Sequence, residues 1–332
     1  MKLSLIICTY QRPEALRKLL DSVVLQTAIP DEIIIVDGSR DDLTGKMIEE
    51  VAIDNLNYFR VSEKDRGLTK QRNFGIEKTD FDTEIIAFLD DDVILKPDYF
   101  KQLLLGYQLH PEALGVGGYI LEDIKWRKVA KEYKAEDNEF CYDGFCRPDG
   151  SRYVLRKKLG LDADRPPAHF PEFGHGRSVS FLPPSRKIYE VEQLMGGVSS
   201  FKKIVFETHK FSEYFEGYGL YEDADFTLRV SKTGKLFVNT NAQLYHHHEE
   251  SGRPDLYKYG KMVIRNGWYV WRVKFPNPSL KNRLKWHATA GVLTFIRLTN
   301  AMTSSHKKHA FSEAKGRISG WFSLIFNAPR IK

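Results

Sequence analysis

The chain of 332 residues is long enough for a full α/β domain plus a substantial appendage, and its 42% hydrophobic and 13% aromatic content excludes a disordered polymer. No apolar run of about 18 residues is free of charge, which argues against a membrane-crossing helix. The net charge of +6 conceals a division: residues 251–332 hold 16 Lys/Arg against two acids, Asp255 and Glu313, a net of +14, whereas residues 1–250 hold 34 basic and 42 acidic residues, a net of −8.

Residues 3–8 read as a first strand rather than a signal peptide, because no small-residue cleavage site follows them. A helix starts at Pro13, with Leu16, Leu19, Leu20, Val23 and Val24 at the spacing of one helical face. A strand over 33–36 stops at Asp37-Gly38-Ser39. A helix over 44–52, a strand over 58–61 and a helix over 68–78 follow. The run 84–89 is a buried strand that delivers Asp90-Asp91-Asp92, then a helix over 97–110 and a strand over 114–120 complete the block. This alternation predicts an α/β layer with a mostly parallel central sheet.

Residues 122–190 break the rhythm. They are rich in charge, Pro and Gly, as in Arg165-Pro166-Pro167 and Pro183-Pro184, and read as a long excursion of the kind that carries selectivity. Regular signals resume at Gly196-Gly197-Val198-Ser199-Ser200-Phe201, with a helix after Lys202. Glu222-Asp223 precedes a helix over 224–233, and strands are expected over 236–239 and 242–246. From Asp255 the chain reads as mainly helical. Cys8, Cys141 and Cys146 form no disulfide framework, so free thiols in a reducing cytoplasm are expected.

Three adjacent carboxylates at a strand end repel one another. A divalent cation with an anionic ligand would relieve that repulsion, while a solvated acidic turn is the alternative. Asp37 ends the neighbouring strand, and the carboxyl edge of such sheets is where ligands bind. The turn Cys8-Thr9-Tyr10-Gln11-Arg12 is neither GxGxxG nor GxxxxGK[ST]. A dinucleotide oxidoreductase and a P-loop ATPase are therefore both disfavoured. His246-His247-His248 ends a strand, and alternation separates His246 and His248 from His247.

Leu5-Ile6-Ile7-Cys8-Thr9-Tyr10-Gln11-Arg12-Pro13, Gln26-Thr27 and Ile34-Ile35-Val36-Asp37-Gly38-Ser39 together resemble the opening of family 2 glycosyltransferases. Arg66-Gly67-Leu68 with Gln71-Arg72-Asn73-Phe74-Gly75-Ile76, and Phe88-Leu89-Asp90-Asp91-Asp92 with Pro97-Asp98-Tyr99, extend the likeness. It runs over about residues 2–120 and returns from Gly196 to Ser251.

The resemblance implies a GT-A fold, a nucleotide-sugar donor and inversion in one displacement. It implies nucleotide-sugar contacts for Thr9, Tyr10, Arg12, Asp37, Arg72, Asp90 and Asp91; Arg229, two turns into the helix after Glu222-Asp223, is placed either to reach a phosphate oxygen or to pair with Asp225 at i, i+4. It puts Asp90 and Asp92 in a DxD pattern on Mn²⁺ or Mg²⁺, with His246 as a further ligand and Asp91 as an additional ligand or neighbour. Asp223 would be the general base and Glu222 an acceptor binder, with Asp225 as the alternative, while Gly196 and Gly197 would line the donor sugar and acceptor. Gly38 stands where many members carry a second acid or Asn, so the base (UDP, GDP or dTDP) is not readable.

The expected organisation is a GT-A domain over 1–250, divided into a nucleotide-binding half (1–120), an insertion (121–195) and a catalytic half (196–250). A basic, aromatic, mainly helical extension over 251–332 completes it. Trp268, Trp271, Trp286 and Trp321 beside the cations suit either an anionic membrane surface at its cytoplasmic face or a soluble helical subdomain. No nucleic-acid motif accompanies the charge. The expected partner of the donor is a saccharide or lipid-linked acceptor. A sugar nucleotidyltransferase and a degenerate saccharide-binding scaffold are the competing readings. The first lacks its Gly-rich loop, and retention of Asp92, Asp223 and Arg229 opposes the second.

Overall fold

The computed structural model describes residues 1–121, 124–215, 217–247, 255–303 and 305–331; His248 and Ser251 lie outside them. In chain order the elements are β1 (Leu3–Thr9), α1 (Pro13–Val24), β2 (Glu32–Asp37), α2 (Leu43–Glu49), β3 (Leu56–Arg60), α3 (Leu68–Lys78), β4 (Ile85–Asp90), β5 (Val93–Leu95), α4 (Tyr99–Leu109) and β6 (Ala113–Ile120). They continue with β7 (Arg127–Lys128), β8 (Glu139–Tyr142), β9 (Phe145–Pro148), α5 (Ser151–Lys158), β10 (Ile188–Val191), β11 (Val198–Lys202), α6 (Glu222–Val230), β12 (Lys235–His246), α7 (Leu256–Lys274), α8 (Leu280–Thr303) and α9 (Lys307–Phe326). Two compact units result: Met1–Glu122 with Pro184–Arg253, and Asp123–Pro183 with Pro254–Lys332.

The first unit is built on one sheet of order β10-β12-β6-β11-β4-β1-β2-β3, with β5 paired to β12. β1 runs parallel to β2 and β4, and β2 runs parallel to β3. β11 enters antiparallel between β4 and β6. Strands β1, β2 and β4 are apolar on both faces, because helices cover the sheet and leave no strand face to water. The parallel register fixes where the acids go: Thr9 lies opposite Asp37, and Cys8 opposite Asp90. The two strands expected over 236–239 and 242–246 are one, β12, whose pairing with β6 shifts register between Val238 and Gln243. At that shift the Thr240 amide donates to the Lys187 carbonyl and the Asn241 amide to Asn239 Oδ1, so the irregular backbone stays hydrogen-bonded. The helix expected after Lys202 is a short 3₁₀ turn, Lys203–Glu207.

In the second unit α7 and α9 approach at Gly260 and Gly316. A Cβ on Gly316 would fall 2.0 Å from the Tyr257 carbonyl oxygen, and one on Gly260 would fall 2.1 Å from that of Glu313. Small residues there let two backbones meet. Trp271 and Trp286 are buried and stacked at 5.4 Å, with Gly174 beneath them. His175 is buried behind them. Its pKa is pushed down to about 3 by that burial, and Nε2 lies 3.2 Å from the Trp286 carbonyl. Residues 124–191 carry β7, β8, β9, α5 and β10. Arg177, almost fully buried, bonds Asp149 and Asp162 and lies over the rings of Phe140, Tyr153 and Phe181.

The expected free thiols at Cys141 and Cys146 are instead a disulfide. Tyr142 pairs with Phe145 across Asp143-Gly144, both at positive φ, and this two-residue hairpin sets Cys141 directly opposite Cys146. Cys8 remains a free thiol.

Candidate active site

The site collects at the carboxyl edge of β1, β2 and β4. Asp37 is fully buried, and its two carboxylate oxygens accept from the Ser39 amide and the Tyr58 hydroxyl, each at 2.7 Å. Gln71, on α3, donates through Nε2 to the carbonyls of Thr9 (3.1 Å) and Val36 (2.8 Å), while its Oε1 accepts the Gly67 amide. One buried amide thereby ties together the ends of two strands and the entry of α3. A Cβ on Gly38 would fall 2.9 Å from that Oε1, so an acid at this position would have to displace the clamp.

The aspartate triplet divides. Asp91 turns inward, accepting from Thr9 Oγ1 at 2.7 Å and from Arg12 Nη1 at 3.1 Å. Burial pushes its carboxyl up to about 6 against the opposing effects of Arg12 and Thr9. Asp90, Asp92 and His246 point together instead: each offers an atom within 4.8 Å of the others'. His246 Nε2 lies 2.9 Å from Asp92 Oδ1. Burial opposes protonation of this imidazole, but the hydrogen bond and charge of Asp92 outweigh it and hold its pKa above the ordinary value. Two carboxylates and an imidazole are the donor set of a Mn²⁺ or Mg²⁺ site completed by substrate oxygens, so these residues fit such an ion. β5, the short strand after the triplet, pairs Val93 with His246 and so fixes this meeting.

Opposite the triplet, the N-terminus of α6 carries Glu222 and Asp223. Tyr221 precedes them at φ 71°, a left-handed conformation uncommon for a side-chain-bearing residue, after Gly217 and Gly219, also at positive φ. This turn aims Glu222 at Arg72. The Arg72 guanidinium is buried, bonds Glu222 Oε1 through Nη1, sits 3.6 Å from Asp90 through Nη2, and lies over Phe211 and Phe88. Burial pushes the Glu222 carboxyl up to about 8, with Arg72 working in the other direction, and its Oε2 is buried without a partner. Asp223 accepts from the Ala224 amide (2.7 Å) and the Gly196 amide (3.2 Å), and burial raises its pKa.

Gly196 and Gly197 stand between these groups. A Cβ on Gly197 would fall 2.0 Å from Asp90 Oδ2, and one on Gly196 2.5 Å from Glu222 Oε1. The backbone itself occupies the space between the Asp90 and Glu222 carboxylates, which only glycine permits.

Most of the sequence-derived residues therefore converge. Tyr10 is half-buried in the turn after β1. Arg229 is engaged elsewhere: it bonds Asp225 Oδ2 at 2.8 and 3.1 Å and the Lys210 carbonyl. Asp225 is buried with Arg229 rather than beside Asp223. Gln71, Tyr58 and Asn73 position the site without having been singled out. Asn73 clamps Phe211 by its backbone amide and carbonyl, holding that ring against Arg72. Gln71 and Asn73 lie in the stretch that carries the family resemblance, but a buried amide reads in sequence as an ordinary polar helix position, so their clamping roles are not legible there.

Residues 4–170 match the family described as Glycosyl transferase family 2. Among curated relatives, the chain is 32% identical over 131 residues to the glucosyl-dolichyl phosphate glucuronosyltransferase of Haloferax volcanii, covering 39% of this chain and 41% of that protein. It is 34% identical over 105 residues to the O-antigen chain rhamnosyltransferase RfbN of Salmonella typhimurium, covering 31% and 32%. The matches span less than half the length of these relatives.

Proposed function

The chain belongs to glycosyl transferase family 2, and from that premise we propose that it is an inverting, metal-dependent glycosyltransferase. It moves a sugar from a nucleotide-diphosphate donor to a saccharide or lipid-linked saccharide acceptor in cell-surface glycan assembly, working at a membrane surface. The observation that carries this reading is the meeting of Asp90, Asp92 and His246 on one side of Gly196-Gly197 with Glu222 and Asp223 on the other. The relatives' names support the acceptor class, since one acts on a dolichyl phosphate derivative and the other on O-antigen chains.

In this mechanism Asp37 and the β1 turn, with Tyr10, hold the nucleoside. Asp90, Asp92 and His246 would hold a divalent ion, which would supply charge neutralisation for the departing diphosphate. Arg72, a buried guanidinium bonded to Glu222 and 3.6 Å from Asp90, adds a fixed positive charge beside the donor. Glu222 Oε2, free of any protein partner, binds an acceptor hydroxyl. Asp223 takes the proton of the attacking hydroxyl as its oxygen bonds the anomeric carbon and the bond to the diphosphate breaks. The two backbone amides on Asp223 orient it, and its raised pKa brings the base nearer neutral pH, where proton transfer is most effective.

A donor panel tests the reading. UDP-, GDP- and dTDP-linked sugars are screened with Mn²⁺ by thermal shift and by diphosphate release. One donor class raises the melting temperature and releases diphosphate, and EDTA abolishes both. Release that persists in EDTA contradicts the metal-dependent assignment.

A further inference from the structure

We propose that α8 and α9 form a docking surface for an anionic lipid bilayer. Only the purpose of that docking, meeting a lipid-linked acceptor, rests on the transfer proposed above. Of the four tryptophans suggested by sequence as interfacial anchors, Trp271 and Trp286 are core residues and Trp268 and Trp321 are only part-exposed. Other residues supply the surface. On α8, Leu284, Phe295 and Met302 are 62%, 63% and 71% exposed; on α9, Phe311, Phe322 and Phe326 are 57%, 63% and 89% exposed. Within each helix their spacings return to one face at about 3.6 residues per turn. Six large apolar side chains left in water as two helical stripes are a liability unless something covers them.

Charge identifies the occupant. Residues 280–331 carry nine Lys/Arg and a single acid, Glu313. Glu313 is buried and paired with Arg297 and Arg317, so it contributes nothing to the outer surface. Lys307, Lys308 and Lys315 are exposed on α9 along with the apolar stripe. A cationic surface repels its own copy, which opposes self-association as the cover. A bilayer offers anionic headgroups to the lysines and an acyl boundary to Phe, Leu and Met, whereas nucleic acid offers no apolar phase. Among the described residues no helix is long and apolar enough to cross a membrane, so the helices lie on the surface.

The test is flotation of the full chain with phosphatidylcholine vesicles, with and without about one-third phosphatidylglycerol. The wild-type chain floats with the anionic vesicles, at least about tenfold less with the neutral ones, and less at high salt. F311S/F322S/F326S and K307E/K308E/K315E each lose at least about tenfold, whereas Phe81→Ser, at a 95% exposed ring of the first unit, loses nothing. Unchanged circular-dichroism melting certifies that the variants fold. Diphosphate release with a water-soluble acceptor is unaffected by either triple variant, so loss of docking and loss of chemistry are read separately. The proposal is overturned if the triple variants float like the wild type or if neutral vesicles bind equally. A wild-type dimer in sedimentation that the phenylalanine variant abolishes, or binding to RNA in preference to anionic vesicles, also overturns it.

Discussion

His246 Nε2 lies 2.9 Å from Asp92 Oδ1, although 154 residues separate them in the chain. β12 runs back alongside β5, the three-residue strand that follows the triplet, so the last strand of the sheet returns an imidazole to the acids that began the site. With Asp90 they form a three-residue donor set of mixed oxygen and nitrogen character. The proposed ion would lose one of its three protein ligands with any of them. Mn²⁺ titration followed by electron paramagnetic resonance therefore shows His246→Ala weakened by about 10–100-fold and Asp92→Asn at least as much. Asp91→Asn, whose carboxyl faces Thr9 and Arg12, changes Mn²⁺ affinity far less. Equal losses at Asp91 and Asp92 would contradict the division of the triplet.

Gly197→Ala tests the space between the two halves of the site. Its methyl would sit 2.0 Å from Asp90 Oδ2, inside any allowed contact, so Asp90 must move or β11 must shift. Activity falls by about 100-fold or more, with weakened Mn²⁺ binding, because an error of about an ångström in a preorganised site costs this much. Activity and Mn²⁺ affinity within twofold of wild type would show the spacing to be unimportant.

The Glu222 carboxyl gives the protein a pH-dependent stability. Burial raises its pKa from 4.5 to about 8 in the folded chain. Across that window the folded state binds a proton that the unfolded state has lost, so this group's contribution to stability declines as pH rises and levels off above the folded pKa. Urea denaturation at several pH values between about 5 and 8.5 shows wild-type stability falling with pH, and Glu222→Gln falling less steeply. Parallel curves for the two proteins would refute the assignment.

Gly316→Ala addresses the second unit. Its Cβ would lie 2.0 Å from the Tyr257 carbonyl oxygen, forcing α9 away from α7. Overpacking of this kind costs about 1–3 kcal/mol, read as a lower denaturation midpoint with little change in donor-binding thermal shift. Gly291→Ala on α8, where a Cβ approaches nothing closer than 3.6 Å, is the tolerated control.

Much of the first unit was legible because its strands are short apolar runs that end in acids, a pattern set by burial on both faces and independent of distant partners. The Asp37, Asp90 and Asp92 positions followed from those strand ends. Asp91 did not, since its inward turn depends on Thr9 and Arg12 reaching it from another strand end. The segment 123–183 was illegible for a different reason. Its interior is organised around Arg177 with two aspartates and aromatic faces, and hydrophobic periodicity does not register a core built on a guanidinium. The Cys141–Cys146 pair did carry a signal: Asp143-Gly144 is a strong two-residue hairpin turn, and a hairpin there places the two sulfurs on facing positions. The number of cysteines carries no such signal, and a paired Cys141–Cys146 does not point to a reducing compartment.

Removal of the acceptor hydroxyl's proton is the role proposed for Asp223. It is tested most directly by single-turnover diphosphate release from the donor found in the panel, comparing the wild type with Asp223→Asn in the presence of Mn²⁺ and acceptor. The variant binds donor and Mn²⁺ like the wild type but releases diphosphate about 10²–10⁴-fold more slowly. Release at the wild-type rate by Asp223→Asn, with donor binding intact, would contradict it.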